Sequence, residues 1–326
     1  MAPNTPAVEE NNPSSIASPR TLRRQQKTEL GECIGNGSYG KVYKAKWTRN
    51  DVTSDVAVKI FPLDVVPSAL AFEAEARMSV LLADNPHCVK IKQAYVENKQ
   101  GYIVMDLLAG DLMNIKSSLK FNEKDCGVIF KQIFEGIKLL HSKRFVHMDI
   151  KPDNILIDSN NTPYLADFGS SAKIPQGGKF KQATGTAEFA APEVLSGAAY
   201  NPFPADIWSL GVVLYSVLTG KYPRIKKEQY TRNKKLSDAC NDLLDSMLQH
   251  NPVMRPRIQE LVNNPWFPAE SSPSGLSLSL PIKVNDDVCE SPRRGKSPRR
   301  KKTKTPRKSH SKTPRKSRRI VKTLSN

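Results

Sequence analysis

The chain has 326 residues, enough for one large domain or two modest ones, and 38% of them are hydrophobic, enough for a substantial core. Its five Cys, at 33, 88, 126, 240 and 289, contain no CxxC or CxH pair, which suits neither a zinc site nor a disulfide framework. The formal charge of +18 suggests a nucleic-acid binder until it is located: residues 291–326 hold sixteen Lys or Arg and no acid, which leaves only +2 for residues 1–290.

Four zones follow in chain order. Residues 1–27 are Pro-, Ser- and Asn-rich, lack the apolar core of a signal peptide and are expected to be disordered. Residues 28–268 carry periodic apolar patterns and are expected to fold. Residues 269–290 form a Ser- and Pro-containing linker. Residues 291–326 are a low-complexity basic tail in which Ser291, Ser297, Thr305 and Thr313 each precede Pro and a basic residue. The longest apolar stretch, 207–218, is too short to span a bilayer, so an intracellular protein without a transmembrane segment is expected.

Within the folded zone, 41–47 alternates polar with apolar residues, and 56–61 and 102–105 are short β-rich runs. The Ala, Glu, Arg, Met and Leu content of 70–82 predicts a helix between them. After Asp111 the pattern turns mostly helical: 126–141 places Ile129, Ile133, Ile137 and Leu140 on one face, and 207–218 predicts a buried helix. A small sheet with one helix followed by a larger helical body is an α+β, two-lobed architecture. Its expected boundaries are an N-lobe at 28–105, a connection at 106–110 and a C-lobe at 111–268.

Several short motifs fall on this frame. Gly35-Asn36-Gly37-Ser38-Tyr39-Gly40-Lys41-Val42 fits GxGxxGxV. Glycines in this pattern also mark dinucleotide folds, but those need a helix straight after the loop, whereas 41–47 continues as a strand. A strand–loop–strand of this kind lets backbone N–H groups approach phosphates without interference from Cβ atoms. Val56-Ala57-Val58-Lys59 then puts a Lys on the next strand. Glu75, rather than Glu73, is expected as its carboxylate partner, because Met78 and Leu82 then fall toward the core at i+3 and i+7.

His147-Met148-Asp149-Ile150-Lys151-Pro152-Asp153-Asn154 sets a carboxylate and an amide five residues apart. Such a loop can bring one carboxylate to an acceptor hydroxyl and an amide oxygen to a metal. Asp167-Phe168-Gly169 follows the strand-like Tyr164-Leu165-Ala166 and supplies a second metal carboxylate. Ala191-Pro192-Glu193 comes next, with Glu193 expected to pair with Arg255. Asp206-Ile207-Trp208-Ser209-Leu210-Gly211 is expected to be a buried helix that anchors the 147–154 loop. Taken singly, each fragment reads equally well as a turn Asp or a core aromatic; in this order and spacing, coincidence is negligible.

Together these motifs resemble the eukaryotic protein kinase family over residues 28–268. The resemblance implies ATP and Mg²⁺ as cofactors and protein hydroxyls as acceptors. It implies nucleotide contacts from Ile34, Gly35, Asn36, Gly37, Ser38, Tyr39, Gly40, Val42, Ala57, Lys59, Met105, Asp106, Leu108 and Asp111. Lys59, oriented by Glu75, would hold the α- and β-phosphates, Asn154 and Asp167 the metal, and Lys151 the γ-phosphate. Asp149 would position the hydroxyl and take its proton.

Lys151 and Gly185-Thr186 look like the Ser/Thr branch. His147 to Pro152, Cys88 to Tyr95, the spacing from Ala74-Glu75 to Asn85-Pro86, and the short segment between Gly220 and Arg255 are similar to the Wee/Myt group. That likeness implies a cyclin-dependent kinase as substrate, negative control of the onset of mitosis, and Tyr as a further acceptor. Gly185-Thr186 departs from that group, which usually has Gly-Asp there, and 185–192 looks more like calmodulin-kinase-type sequences. Met148 stands where the family usually has an Arg that holds an activation-loop phosphate, so loop phosphorylation of the ordinary kind is not expected to be the switch.

The tail admits three readings: a solvated end, a nuclear-import signal, or a DNA- or chromatin-binding arm over 291–319. The nucleus is accordingly favoured over the cytoplasm. Two non-catalytic readings compete with the enzyme, a pseudokinase scaffold and a chromatin-binding module. The presence of Lys59, Asp149, Asn154 and Asp167 disfavours the first.

Overall fold

The computed structural model describes residues 26–113, 122–181 and 183–269. The expectations for 1–25, for the linker from 270 and for the basic tail lie outside the described residues.

The N-terminal part is a five-stranded antiparallel sheet in the order β1-β2-β3-β5-β4, built from β1 (Gln26–Asn36), β2 (Lys41–Arg49), β3 (Val52–Pro62), β4 (Ile91–Glu97) and β5 (Gln100–Asp106). Gln26 and Lys27, expected in the disordered segment, instead extend β1, because β2 offers Arg49 and Thr48 as partners that far. Asn50-Asp51 and Asn98-Lys99 close two of the hairpins with positive φ at both positions, a conformation that Asn and Asp tolerate better than most residues. Register shifts in β1 around Cys33 bend the strand just before the glycine-rich loop.

Helix α1 (Val66–Leu81) starts four residues earlier than composition predicts, because Pro67 sits in the first turn, where a missing N–H costs no helical bond. Its inner face buries Ala71, Phe72, Glu75 and Met78, and Phe72 packs edge-on against Phe61 of β3.

The C-terminal part is mostly helical. Helix α2 (Glu123–Ser142) begins with a capping box between Asn122 and Asp125, and all four predicted apolar positions, Ile129, Ile133, Ile137 and Leu140, are buried. After the short α3 (Pro192–Leu195), helix α4 (Pro202–Thr219) is capped by Asn201 and stopped by Gly220 at φ 72°, and it is buried on nearly every side. With α5 (Asp238–Met247), these helices enclose the main core, where Phe130, Phe134, Leu210 and Leu244 are fully buried. Each such side chain contributes about 1.5–3 kcal/mol on burial. Cys88, Cys126 and Cys240 are buried.

Short elements line the border of the two parts. β6 (Gly110–Asp111), β8 (Ile155–Ile157) and β9 (Pro163–Leu165) form one small sheet, and β7 (Phe145–Val146) pairs with β10 (Ala172–Lys173). β5 thus runs one residue into the expected connection at 106–110, and β6 occupies its end. Among the described residues no helix is long and apolar enough to cross a membrane.

Candidate active site

The glycine-rich loop joins β1 to β2. The Gly37 N–H donates to the Gly40 carbonyl at 2.9 Å, leaving Asn36, Gly37 and Ser38 as an exposed tip. A Cβ on Gly40 would lie 2.1 Å from the Ile60 carbonyl oxygen, so only glycine lets the loop lie this close to β3. Tyr39 reaches across to the Asp167-Phe168-Gly169 turn, its hydroxyl 3.4 Å from Ser170 Oγ.

Lys59 projects from β3 between two carboxylates. Its Nζ is 2.8 Å from Glu75 Oε2 on α1 and 2.8 Å from Asp167 Oδ1. Glu75 is buried and Glu73 exposed, which settles the choice between them. Burial alone would lower the Lys59 pKa, but the two carboxylates overcome it and hold the ammonium well above its usual range. Burial, opposed by Lys59 and reinforced by the charge of Asp167, raises Glu75 to about 7. Asp167 itself lies in the left-handed region at φ 57°, with the Gly169 N–H donating to its Oδ1 at 3.3 Å. That turn buries Phe168 and stacks it at a tilt on His147, ring centroids 5.1 Å apart.

The 147–154 loop hangs from a buried carboxylate. Asp206, at the start of α4, accepts the His147 N–H on Oδ2 and the Met148 N–H on Oδ1, each at 2.9 Å, and His141 Nε2 lies 2.8 Å from Oδ2. Met148 is held at φ 66°, with its side chain packed against the C-terminal core. Asn154 donates from Nδ2 to the Asp149 carbonyl at 2.8 Å and to Asp149 Oδ2 at 3.0 Å. On the other side, Thr186 donates its N–H and its hydroxyl to Asp149 Oδ1, and Lys151 Nζ lies 3.1 Å from Thr186 Oγ1. Asp149, Lys151, Asn154 and Thr186 are thereby one polar cluster.

An apolar cluster accompanies it. Ile34, Val42, Leu108 and Leu156 pack around a buried group that includes Ala57, Met105 and Ala166. The Leu108 N–H and C=O take no hydrogen-bond partner among the described residues. An apolar surface edged by a backbone donor and acceptor suits a flat, apolar ring with polar edges. The side chains of two expected residues are engaged elsewhere: Asp106 pairs with Lys92 of β4 at 2.6 Å, and Asp111 accepts the Met113 N–H at 2.9 Å. Leu156 was not expected from the sequence, although the signal was there. Strand alternation turns it away from the buried Ile155 and Ile157 on β8, toward the cluster.

The segment from Asp167 to Glu193 is tied down along its length. Arg144 donates from Nε to the Ile174 carbonyl at 3.1 Å and from Nη2 to the Pro175 carbonyl at 2.6 Å, with its guanidinium 5.0 Å from the Phe203 ring centroid. Phe180 and Tyr200 exchange both backbone hydrogen bonds at 2.8 Å. Glu193 takes a bidentate pair from the buried Arg255, at 2.6 and 2.8 Å, as predicted.

The family model for the protein kinase domain matches residues 28–267. The chain belongs to the protein kinase family. Similar proteins include CBL-interacting protein kinase 8 of Oryza sativa subsp. japonica, 31% identical over 81% of this chain and 63% of the relative. SNF1-related protein kinase catalytic subunit alpha KIN12 of Arabidopsis thaliana is 32% identical over 77% of this chain and 53% of its own length. Sperm motility kinase 2B of Mus musculus is 30% identical over 80% and 56%. This chain therefore spans between about half and two thirds of the length of these relatives. Membership implies use of ATP and a divalent metal, and the residues present fit both. The apolar cluster is edged by a Leu108 backbone amide that has no partner among the described residues, and Asp167 and Asn154 offer the hard oxygen donors such a cation takes.

Proposed function

We propose that this chain is a protein Ser/Thr kinase that uses ATP with Mg²⁺. The observation that carries the reading is the closed arrangement of charges, with Lys59 between Glu75 and Asp167 and Thr186 and Lys151 drawn onto Asp149. Bound ATP supplies the phosphoryl group, and the cation offsets its negative charge. The chain's own residues do the rest by positioning and electrostatics. Lys59, oriented by Glu75, holds the α- and β-phosphates. Asp167 and the side-chain oxygen of Asn154 hold the metal. Asp149 aligns the acceptor hydroxyl and takes its proton, while Lys151 steadies the γ-phosphate.

The apolar surface around Ala57, Met105 and Leu156 takes the adenine, and the backbone of Asp106 and Leu108 meets its edge. Ile34, Gly35 and Val42 would cover it, and the loop from Asn36 through Gly40 would hold the phosphates. Asp111 stands at the ribose side. Ser/Thr acceptors are supported by the Lys151–Thr186–Asp149 contacts. Incubating the protein with labelled ATP and a degenerate peptide library tests this: phosphoserine and phosphothreonine are expected, and phosphotyrosine alone would overturn it.

A second, narrower reading is a Wee/Myt-like negative regulator of cyclin-dependent kinases and the onset of mitosis. Met148 and the short 220–255 segment support it; the similar proteins named above belong to other groups. Transfer to the glycine loop of a cyclin-dependent kinase, absent on unrelated basic peptides, tests it. We also propose that residues 291–319 form a polyanion-binding arm, which would place the protein in the nucleus and at chromatin.

A further inference from the structure

Between α4 and α5 the chain forms a hairpin of β11 (Ile225–Lys226) and β12 (Gln229–Tyr230). Residues 221–235 contain seven Lys or Arg and a single acid, Glu228. Arg232 is taken by Asp242 at 2.8 Å, and Glu228 lies 3.7 Å from His250. Lys221, Arg224, Lys226, Lys227, Lys234 and Lys235 are exposed, and none has an ion-pair partner among the described residues.

A run of charge is ordinarily no more than a solvated face, but two observations set this one apart. First, the hairpin is fixed to the core. Buried Tyr230 packs on Tyr215 at 5.9 Å and donates to Asn241 Oδ1 at 3.0 Å, and the buried Asn241 amide donates in turn to the Asn233, Leu236 and Ser237 carbonyls. The cations are therefore held on a rigid platform.

Second, the platform is continuous with the acceptor side of the site. Tyr222, 53% exposed, meets Phe189 edge-on at 5.7 Å, and Phe189 ends the turn that Thr186 begins beside Asp149.

We propose that the 221–235 hairpin is a docking surface for an acidic segment of the protein substrate, outside the acceptor position itself. The inference rests on the Ser/Thr kinase reading. Continuity with the Thr186–Phe189 turn favours a protein substrate over nucleic acid, for which the sixteen cations of the tail are the stronger attractor. Exposed charge pairs are individually weak, so the surface acts through several at once and adds to substrate affinity rather than to the chemical step.

The test uses full-length protein and three peptides with one acceptor sequence: a short one, and two extended by a run of Asp and Glu before or after the acceptor. KM and kcat are measured alongside fluorescence-anisotropy binding, for wild type and for Lys226→Ala/Lys227→Ala/Lys234→Ala/Lys235→Ala. Wild type is expected to show a KM about fivefold or more lower for one extended peptide, shrinking as salt is added. The variant is expected to lose that preference in both KM and binding while keeping kcat/KM on the short peptide.

Equal treatment of all three peptides by wild type would overturn the proposal. So would a preference that survives the substitutions, which would assign it to the tail. Weaker duplex-DNA binding by the variant with an unchanged peptide preference would give the surface to nucleic acid instead. Binding lost in the variant, with no peptide phosphorylated by either protein, would uphold docking and count against the kinase reading alone.

Discussion

Thr186 donates both its backbone N–H and its hydroxyl to one oxygen, Asp149 Oδ1, each at 2.9 Å. Lys151 lies 3.1 Å from the same hydroxyl and 3.4 Å from Asp149 Oδ2. The turn after Gly185 is thereby fastened to the carboxylate proposed to face the acceptor. Gly185, at φ 84°, makes this possible, since a Cβ there would lie 2.4 Å from the Met148 carbonyl oxygen.

Thr186→Val removes the hydroxyl but keeps the shape. Hydrogen bonds to charged groups are worth about 1.5–3 kcal/mol, so kcat/KM should fall roughly 10- to 100-fold, with KM for ATP little changed. Thr186→Ser should restore most of the activity. Steady-state kinetics on one peptide decide this, and equal activity of the Val variant would show that the contact is incidental.

Arg144 holds the segment after Asp167 through two carbonyls, and Met148 offers no charge to a loop phosphate. Phosphatase-treated protein should therefore keep most of its activity. Arg144→Ala should lower kcat and speed tryptic cleavage at Lys179 and Lys181, because two charge-assisted bonds and a ring contact at Phe203 are lost together. Activity that returned only with a phosphate on Thr184 or Thr186 would contradict this.

Gly40 and Gly37 make a contrasting pair. Ala at 40 drives a methyl into the Ile60 carbonyl, whereas at 37 the nearest atom is the Gly40 carbonyl oxygen at 3.4 Å. Gly40→Ala should raise KM for ATP at least about tenfold, since displacing a backbone by such a contact exceeds the 1.4 kcal/mol that a tenfold change represents. Gly37→Ala should be nearly neutral. Nucleotide affinity of the two variants, measured side by side, checks the difference.

The basic arm gives a separate expectation. Each phosphate adds roughly −1.5 to −2 charge, so four on Ser291, Ser297, Thr305 and Thr313 would cancel close to half of the sixteen positive charges. Full-length protein should bind duplex DNA with a steep salt dependence and a 1–290 truncation poorly. A truncation that bound as tightly would exclude the arm as the binding element.

Much of this site was legible in the residues themselves. Lys59, Asp149, Asn154 and Asp167 stood out because the order and spacing of the motifs that carry them resemble those of the protein kinase family. Glu75 was separable from Glu73 because Met78 and Leu82 fixed which side of the helix faces inward. What spacing could not give were contacts between distant segments through backbone groups. The Arg144 clamp on Ile174 and Pro175 depends on carbonyls, which every residue possesses, and so leaves no mark in the sequence. The same holds for the use of the Asp106 side chain by Lys92, a neighbour only once β4 and β5 pair.

A phosphate- and metal-binding pair of Lys59 and Asp167 is what the proposed chemistry requires. It is tested most directly by phosphoryl transfer from ATP to a Ser/Thr peptide by full-length wild type, Asp167→Ala and Lys59→Met. Thermal melting of each protein separates loss of chemistry from loss of fold, since removing Lys59 leaves Glu75 buried without its partner. The account predicts metal-dependent transfer by wild type, none measurable for folded Asp167→Ala, and severe impairment for Lys59→Met. Wild-type turnover by purified Asp167→Ala, free of contaminating kinase, would contradict it.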